Sequence, residues 1–360
     1  MNSTAEVAYR CNRCDTESAV EVTRVTCDCG GGLDLPPRPP APRPATGAAR
    51  LAAPRTWVAG WALERATLGG RPTPLLRWRN DADVWLKCDH LLPTGSFKDR
   101  GAEMVAGLAV ELGVEQMVVD SSGNAAAALA AHAARAGLRC TVFVPAGASP
   151  NKLRQIAAYG AHLQLVQGPR EAAGVAARVF AEQHDALYAS HAMNPYFHDG
   201  TKSWLYEVLA ELPQTRTLVI PVGSGSLLLG VLRAIEELAN SGWITNLPRL
   251  VIAQTAGYAS LSSAADTSSP PGPPNEPPLA EGIALRRPAR RGQILERLTG
   301  FDATVCVVDN PAILAAQREL AVGGFYVEPT SAAAWAAWRQ QRTTECTVVA
   351  LTGHGLKANP

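Results

Sequence analysis

Short apolar, β-branched runs alternate with longer amphipathic runs over most of the chain. "EQMVVDSS" precedes "NAAAALAAHAARAG", "RCTVFVPAG" precedes "SPNKLRQIAAYGA", and "HLQLVQG" precedes "REAAGVAARVFAEQH". The alternation continues through "DALYAS", "GTKSWLYEVLAEL", "RTLVIPVGSGS" and "LLLGVLRAIEELANSG". It closes with "RLVIAQTAG", "DATVCVVD", "PAILAAQRELAVGG", "PTSAAAWAAWRQQ" and "CTVVALTGHG". Continuous apolar runs suit strands covered on both faces, and the 3.6-periodic runs suit helices laid over them. The pattern predicts βαβ units with mostly parallel sheets. In such folds ligands bind beyond the carboxyl ends of the strands.

Two stretches break the alternation. "PPRPPAPRPATGAARLAAP" begins at Pro36, and its prolines deny helix and sheet alike, which predicts a linker. "SSAADTSSPPGPPNEPP", from Ser262, reads as a surface insertion, because its composition cannot bury enough apolar area to order itself. At 360 residues the chain has room for two modest domains. A net charge of +1 and a charged fraction of 18% offer no basic field for nucleic acid. The 47% hydrophobic fraction is inflated by alanine and holds no run long enough for a membrane helix. "MNSTAEVAYR" lacks the features of a secretory signal, so a soluble cytoplasmic protein is expected.

Cys88, Cys140, Cys306 and Cys346 lie among apolar neighbours and read as buried small hydrophobes. The other four cysteines are clustered, as "CNRC" (Cys11, Cys14) and "CDCG" (Cys27, Cys29). Two thiolate pairs presented from two turns could close a tetrahedral zinc site. The second pair is C-x-C, a looser fit to a zinc knuckle, and Gly30 to Gly32 supply the backbone freedom it needs. A knuckle closed partly by a disulfide, or folded without metal, is the competing reading.

Three polar, glycine-containing turns follow strands. "PVGSGS", before a long helix, offers the amides of Gly223, Ser224, Gly225, Ser226 and Leu227 to an anion. It is neither a dinucleotide fingerprint nor a P-loop. "SSGN" (Ser121, Ser122, Gly123, Asn124) and "LTGHGLK", with the Thr352 hydroxyl, take the same strand-to-loop position. Any one of them could simply cap a helix. In a fourth turn, "LPTGSFKDRG", Lys98 opens an apolar helical run, where a cation opposes the helix dipole. A desolvated lysine amine can form a Schiff base with a carbonyl. Paired with a phosphate cup, such a lysine suggests pyridoxal 5′-phosphate.

These segments, in this order, resemble the fold-type II pyridoxal-phosphate enzymes, and among them the threonine synthase group. "RPTPLLRW", "LPTGSFKDRG", "SSGNAAAALAAHAARAG", "MNPYFHDGTKS", "VEPTSAAA" and "LTGHGLK" carry the likeness, and the cysteine knuckle resembles the N-terminal element of many members. The resemblance implies a tryptophan synthase β-like fold of two three-layer αβα domains plus the small cysteine knuckle. On that reading residues 1–35 form the four-cysteine module and 36–56 the linker. Residues 57–94 and 204–360 form the larger cofactor-binding domain, and 95–203 a smaller mobile one. Lys98 would hold the cofactor and act as general base. Asn124 would bond its ring oxygen, residues 223–227 its phosphate, and Thr352 its ring nitrogen. A homodimer and a small amino-acid substrate are implied as well.

The chain departs from the group where that group grips the phosphate of O-phosphohomoserine. There His191, Ala192 and Phe197 stand for Asn, Ser and Arg in the segment that keeps Asn194, and Ala125 stands for Thr. Losing a bidentate guanidinium removes a charge-assisted contact. An enzyme of β- or γ-elimination or replacement with a different leaving group is therefore expected. Threonine synthase itself is the alternative, with His191, His198 or the arginines of "GIALRRPARRG" compensating. A cofactor-binding protein without turnover is a third reading, opposed by the joint presence of Lys98, Asn124 and Thr352.

Overall fold

The computed structural model describes residues 8–38, 56–79, 83–148, 150–168, 170–262 and 276–358. Most of the linker read at 36–56 and of the insertion read at 262–278 lies outside them. The chain divides into two compact units. Among the described residues, the first holds the chain through residue 38, then 56–69 and 98–201; the second holds 70–97 and 202 onward.

The first unit opens with three short antiparallel strands, β1 (Ala8–Cys11), β2 (Glu17–Ala19) and β3 (Leu33–Asp34), in the order β2-β1-β3. Its main sheet is parallel: β6 (Gln116–Val119), β7 (Arg139–Pro145), β8 (His162–Val166) and β9 (Leu187–Tyr188), ordered β8-β7-β6-β9. Successive strand residues feed opposite cores. Met117, Val119, Val142 and Val144 pack with α2 (Lys98–Glu111) and α3 (Asn124–Ala136), whereas Val118 and Phe143 pack with α5 (Arg170–Gln183). That alternation is the period of two of a strand covered on both faces.

Two segments sit differently from the sequence reading. Helix α1 (Gly60–Ala66), read with the larger domain, belongs to the first unit. Its Ala62 and Ala66 are fully buried there, and Leu63 fills the space above Gly107 of α2. The cysteine module, read as a separate piece, also lies in this unit. Tyr9, Cys11, Leu33 and Leu35 share one core with α2 and with Tyr196.

The second unit carries six strands in the order β12-β11-β10-β13-β5-β4. These are β4 (Leu75–Arg77), β5 (Val84–Lys87), β10 (Thr217–Pro221), β11 (Arg249–Thr255), β12 (Ala303–Val308) and β13 (Thr347–Ala350). All neighbours are parallel except β4 with β5. Leu218, Ile220, Leu250, Ile252 and Val348 face α7 (Ser203–Glu211) and α8 (Ser226–Asn240). Val219, Val251, Ala253 and Val349 face α10 (Asn310–Val322) and α11 (Pro329–Gln340). Trp204 and Trp335 are fully buried on the two sides, and truncating either to alanine costs about 3–5 kcal/mol. Each unit is thus a three-layer αβα stack.

Candidate active site

In the first unit the candidate residues leave two adjacent strands at the same end. β6 and β9 are parallel, with Val118 opposite Tyr188. Ser121 to Asn124 follow β6, and Ser190 to Asn194 follow β9. Asn124 is the first residue of α3 and is half-buried, as are Ser122 and Gly123, while Ser121 and Ala125 are buried. The Ser121 hydroxyl accepts the Gly123 amide at 3.3 Å. Asn194 turns its side-chain oxygen to the Tyr196 amide at 3.0 Å, starting α6 (Pro195–Thr201). It therefore acts as a local cap as well as a candidate substrate contact.

Lys98 is the first residue of α2, which runs back against β6 and so returns its N-terminus to the loop end of the sheet. Its Nζ lies 5.5 Å from the centre of the Phe197 ring. Phe197 is fully buried, and the His191 ring meets it edge-on at 6.1 Å. Gly101 makes this possible: a Cβ there would sit 2.4 Å from Phe197 Cδ1. The lysine thus faces an aromatic wall where the resemblance led to a guanidinium. Asp99, beside it, is buried against His132, whose Nε2 lies 3.4 Å from Oδ1. His132 Nδ1 is 2.8 Å from the Ala66 carbonyl oxygen, tying α1, α2 and α3 together. Nothing in the sequence distinguished His132 from other polar helix residues.

In the second unit the neighbouring strands β10, β13 and β5 all end at one edge. The loop after β10 is buried throughout residues 223–227 and opens α8 with no side-chain cap on the helix. Gly225 has φ +84°, and a Cβ on it would strike Ile294 Cδ1 at 2.3 Å. A Cβ on Gly223 would lie 2.8 Å from the Gly282 carbonyl oxygen. Ile294 comes from α9 (Arg291–Leu298), an element the sequence pattern missed because few of its residues face inward. After β13, Thr352 is buried, with its Oγ1 3.2 Å from Ser331 Oγ. Ser331 also takes the Gly353 amide at 2.9 Å, so it fixes the turn that carries Thr352. Residues 95–97 pair with 352–354: the Phe97 amide donates to the Thr352 carbonyl at 2.9 Å, and the His354 amide to the Gly95 carbonyl at 2.9 Å. Beneath this edge Lys87, fully buried, meets Glu207 at 2.8 Å and the Thr73 carbonyl at 2.6 Å. The Thr73 hydroxyl donates to Asp89 at 2.8 Å, which anchors the "RPTP" segment.

Three of the four arginines considered as substitute cations, Arg286, Arg290 and Arg291, have local contacts. Arg290 donates to Gln293 at 2.7 Å, Arg291 to the Ser260 carbonyl at 2.6 Å, and Arg286 lies 5.4 Å from the Tyr258 ring centre.

The sulfurs of Cys11, Cys14, Cys27 and Cys29 all lie within 4.8 Å of one another. Cys11 and Cys29 are 3.5 Å apart, and Cys14 and Cys27 3.7 Å. Zinc with bonds of about 2.3 Å places its tetrahedral sulfurs about 3.8 Å apart, so the spacing fits a metal. The Arg13 amide points at Cys11 Sγ and the Gly31 amide at Cys29 Sγ, each at 3.4 Å. The Thr16 hydroxyl and amide pull the Cys14 thiol down to about 6. At Cys29 the Gly31 amide is outweighed by the neighbouring Cys14 and Cys11 sulfurs, which push that thiol up to about 12, so the proton is shared unevenly within the cluster.

The pyridoxal-phosphate dependent enzyme family matches residues 66–353. Threonine synthase of Synechocystis sp. is 34% identical over 295 residues, 79% of this chain and 75% of that protein. Threonine synthase of Methanosarcina acetivorans is 31% identical over 286 residues, 76% of this chain and 70% of the relative. Among solved structures, maize serine racemase aligns with a TM-score of 0.67 at 22% identity, covering 82% of this chain and 92% of that one. Threonine deaminase isoform 2 of Solanum lycopersicum aligns at 0.67 and 19%, covering 90% and 93%. At those identities the structural matches speak for the fold. The residues present suit the cofactor: a lysine at a helix start, and a buried, glycine-built loop at the N-terminus of α8, where an anion is favoured. The chain belongs to the pyridoxal-phosphate dependent enzymes of fold type II, and within them it is threonine synthase-like.

Proposed function

We propose that this enzyme performs β- or γ-elimination or replacement on an amino acid whose leaving group is not phosphate. The observation that carries the reading is the buried Phe197 ring against Lys98. A phosphate brought there would exchange water for an aromatic face, and Ala125 and Ala192 offer methyls where the resemblance led to hydroxyls. Acyl, hydroxyl or sulfur-linked leaving groups carry no such desolvation cost. Threonine synthase activity is the second reading, favoured by the names of the relatives above.

In the proposed mechanism the Lys98 amine would hold the cofactor and would be the base for the proton on the substrate Cα. Bound pyridoxal phosphate supplies the sink for the electrons that this proton leaves behind. Asn124 would hold the ring oxygen, and the amides of residues 223–227 the phosphate. Thr352, whose hydroxyl lies beside Ser331, would meet the ring nitrogen. A hydroxyl does not keep that nitrogen protonated as a carboxylate would, which suits loss of a leaving group better than transamination. The four cysteines are assigned to zinc.

The test is a panel of L-serine, L-homoserine and their O-acyl and sulfur-linked derivatives, offered to the cofactor-loaded enzyme. Release of the leaving group or of a 2-oxo acid is expected for at least one of them, and is expected to vanish in Lys98→Ala. No release from any member would overturn the reading.

A further inference from the structure

We propose that the four-cysteine module is a metal-dependent clamp on residues 188–197, with Tyr9 as the positioning residue. The proposal rests on the reading above, in which His191, Ala192, Asn194 and Phe197 face the substrate. Two attachments carry it, one at each end of the segment. Val22, on the loop between the two cysteine pairs, accepts the Tyr188 amide on its carbonyl at 3.1 Å. Val25, further along that loop, is buried in the same small core as Tyr188. At the other end Tyr9, two residues before Cys11 on β1, is buried and meets the Tyr196 ring edge-on at 6.3 Å.

Tyr196 precedes Phe197, whose ring lies over the Lys98 amine. Cys11, Cys27, Leu33, Tyr196, Phe197 and the inner face of α2 form one continuous core. Strand β1, which carries Tyr9, ends at Cys11, and the loop that carries Val22 runs from Cys14 to Cys27, so both are bounded by sulfurs of the cluster. A metal bound by all four thiolates ties the strand and the loop to one point. Without it the module keeps its packing against α2, but three strands of at most four residues lose the tie between their turns. Loss of metal then loosens Val22 and Tyr9 together, and the segment 188–197 loses one contact near each end, while Tyr188 keeps its pairing with β6 and Phe197 its seat on Gly101.

The experiment uses full-length, cofactor-loaded enzyme of measured zinc content. Amide hydrogen exchange is followed over 188–201 and, as an internal control, over 226–240. Wild type is compared with chelator-stripped wild type, Tyr9→Phe and Tyr9→Ala. The dissociation constant of L-homoserine is read in parallel from the cofactor absorbance.

Stripping and Tyr9→Ala are each expected to speed exchange over 188–201 about three- to tenfold, the scale of one lost aromatic pair. Tyr9→Phe, which keeps the ring edge, is expected to match wild type, and 226–240 to stay unchanged throughout. The homoserine constant is expected to rise by a similar factor with cofactor content unaltered. Unchanged exchange on stripping, or a protein isolated without zinc, would overturn the proposal, even if Tyr9→Ala does not fold. Faster exchange with an unchanged homoserine constant would keep the clamp but remove the segment from the substrate side, overturning the reading on which the clamp's role rests.

Discussion

At the start of α2, Lys98 meets the face of Phe197, and one atom decides what else fits there: the missing Cβ of Gly101. Borohydride reduction of the loaded enzyme is expected to fix the cofactor's mass to the wild-type chain and not to Lys98→Ala, with turnover of the mutant down by at least about 10²–10⁴-fold. Gly225 is equally constrained, since its left-handed φ and the nearby Ile294 both reject a side chain. Gly225→Ala is expected to lower stability by about 1–2 kcal/mol from the backbone alone, and to weaken cofactor retention in a dialysis assay. His90 gives a pH signature. Burial first, and then the charge of His354, push its pKa from 6.5 down to about 4. Above 6.5 both folded and unfolded forms are neutral; between 6.5 and about 4 the unfolded chain takes up a proton that the folded one refuses. Stability is therefore expected to fall with acid across that window by about 1.4 kcal/mol per pH unit at most, and His90→Gln to remove that slope in denaturant titrations. Lys98 stood out as a candidate because a cation opposes the dipole at a helix start, and Asn124 and the glycines because they lie in polar turns after strands. Ser331, His132 and His90 did not, because a buried polar residue shows its purpose only beside its partner.

The parallel strands and their helices were the most legible elements, since burial on both faces leaves unbroken apolar runs such as "TLVI" and "CTVVA". Helix α9, with little inward surface, was lost. The run "GTKSWLYEVLAEL" read as one helix, but α6 ends at Thr201 and α7 starts at Ser203. Lys202 stands between them, fully buried and 3.2 Å from Glu237 of α8. The Tyr206 hydroxyl donates to the same carboxylate at 3.1 Å, and Arg233 lies 3.4 Å from it. One carboxylate thus serves two buried cations and a phenol across α7 and α8. Glu237→Gln is expected to cost about 3–5 kcal/mol, measured by urea unfolding, because it strands buried charge. A loss below 1 kcal/mol would show that water or other groups satisfy these cations.

Over the whole molecule the αβα layering was readable. The reading placed breaks near residues 94 and 203; the units part after Phe97 and after Thr201. The peptide bond between Phe97 and Lys98 is therefore also where the second unit hands the chain to the first. Compositional breaks locate linkers, but this boundary falls inside a motif chosen for chemistry. No described helix is long and apolar enough to cross a membrane. The central claim is that a threonine synthase-like scaffold here takes an amino acid without a phosphate leaving group. Its most direct test is to give O-phospho-L-homoserine to the purified, cofactor-loaded enzyme and assay free phosphate and L-threonine together. The expected result is neither product above the level of Lys98→Ala, with cofactor still bound. Prompt, stoichiometric phosphate and threonine would contradict the account and make the enzyme a threonine synthase with a rebuilt phosphate grip.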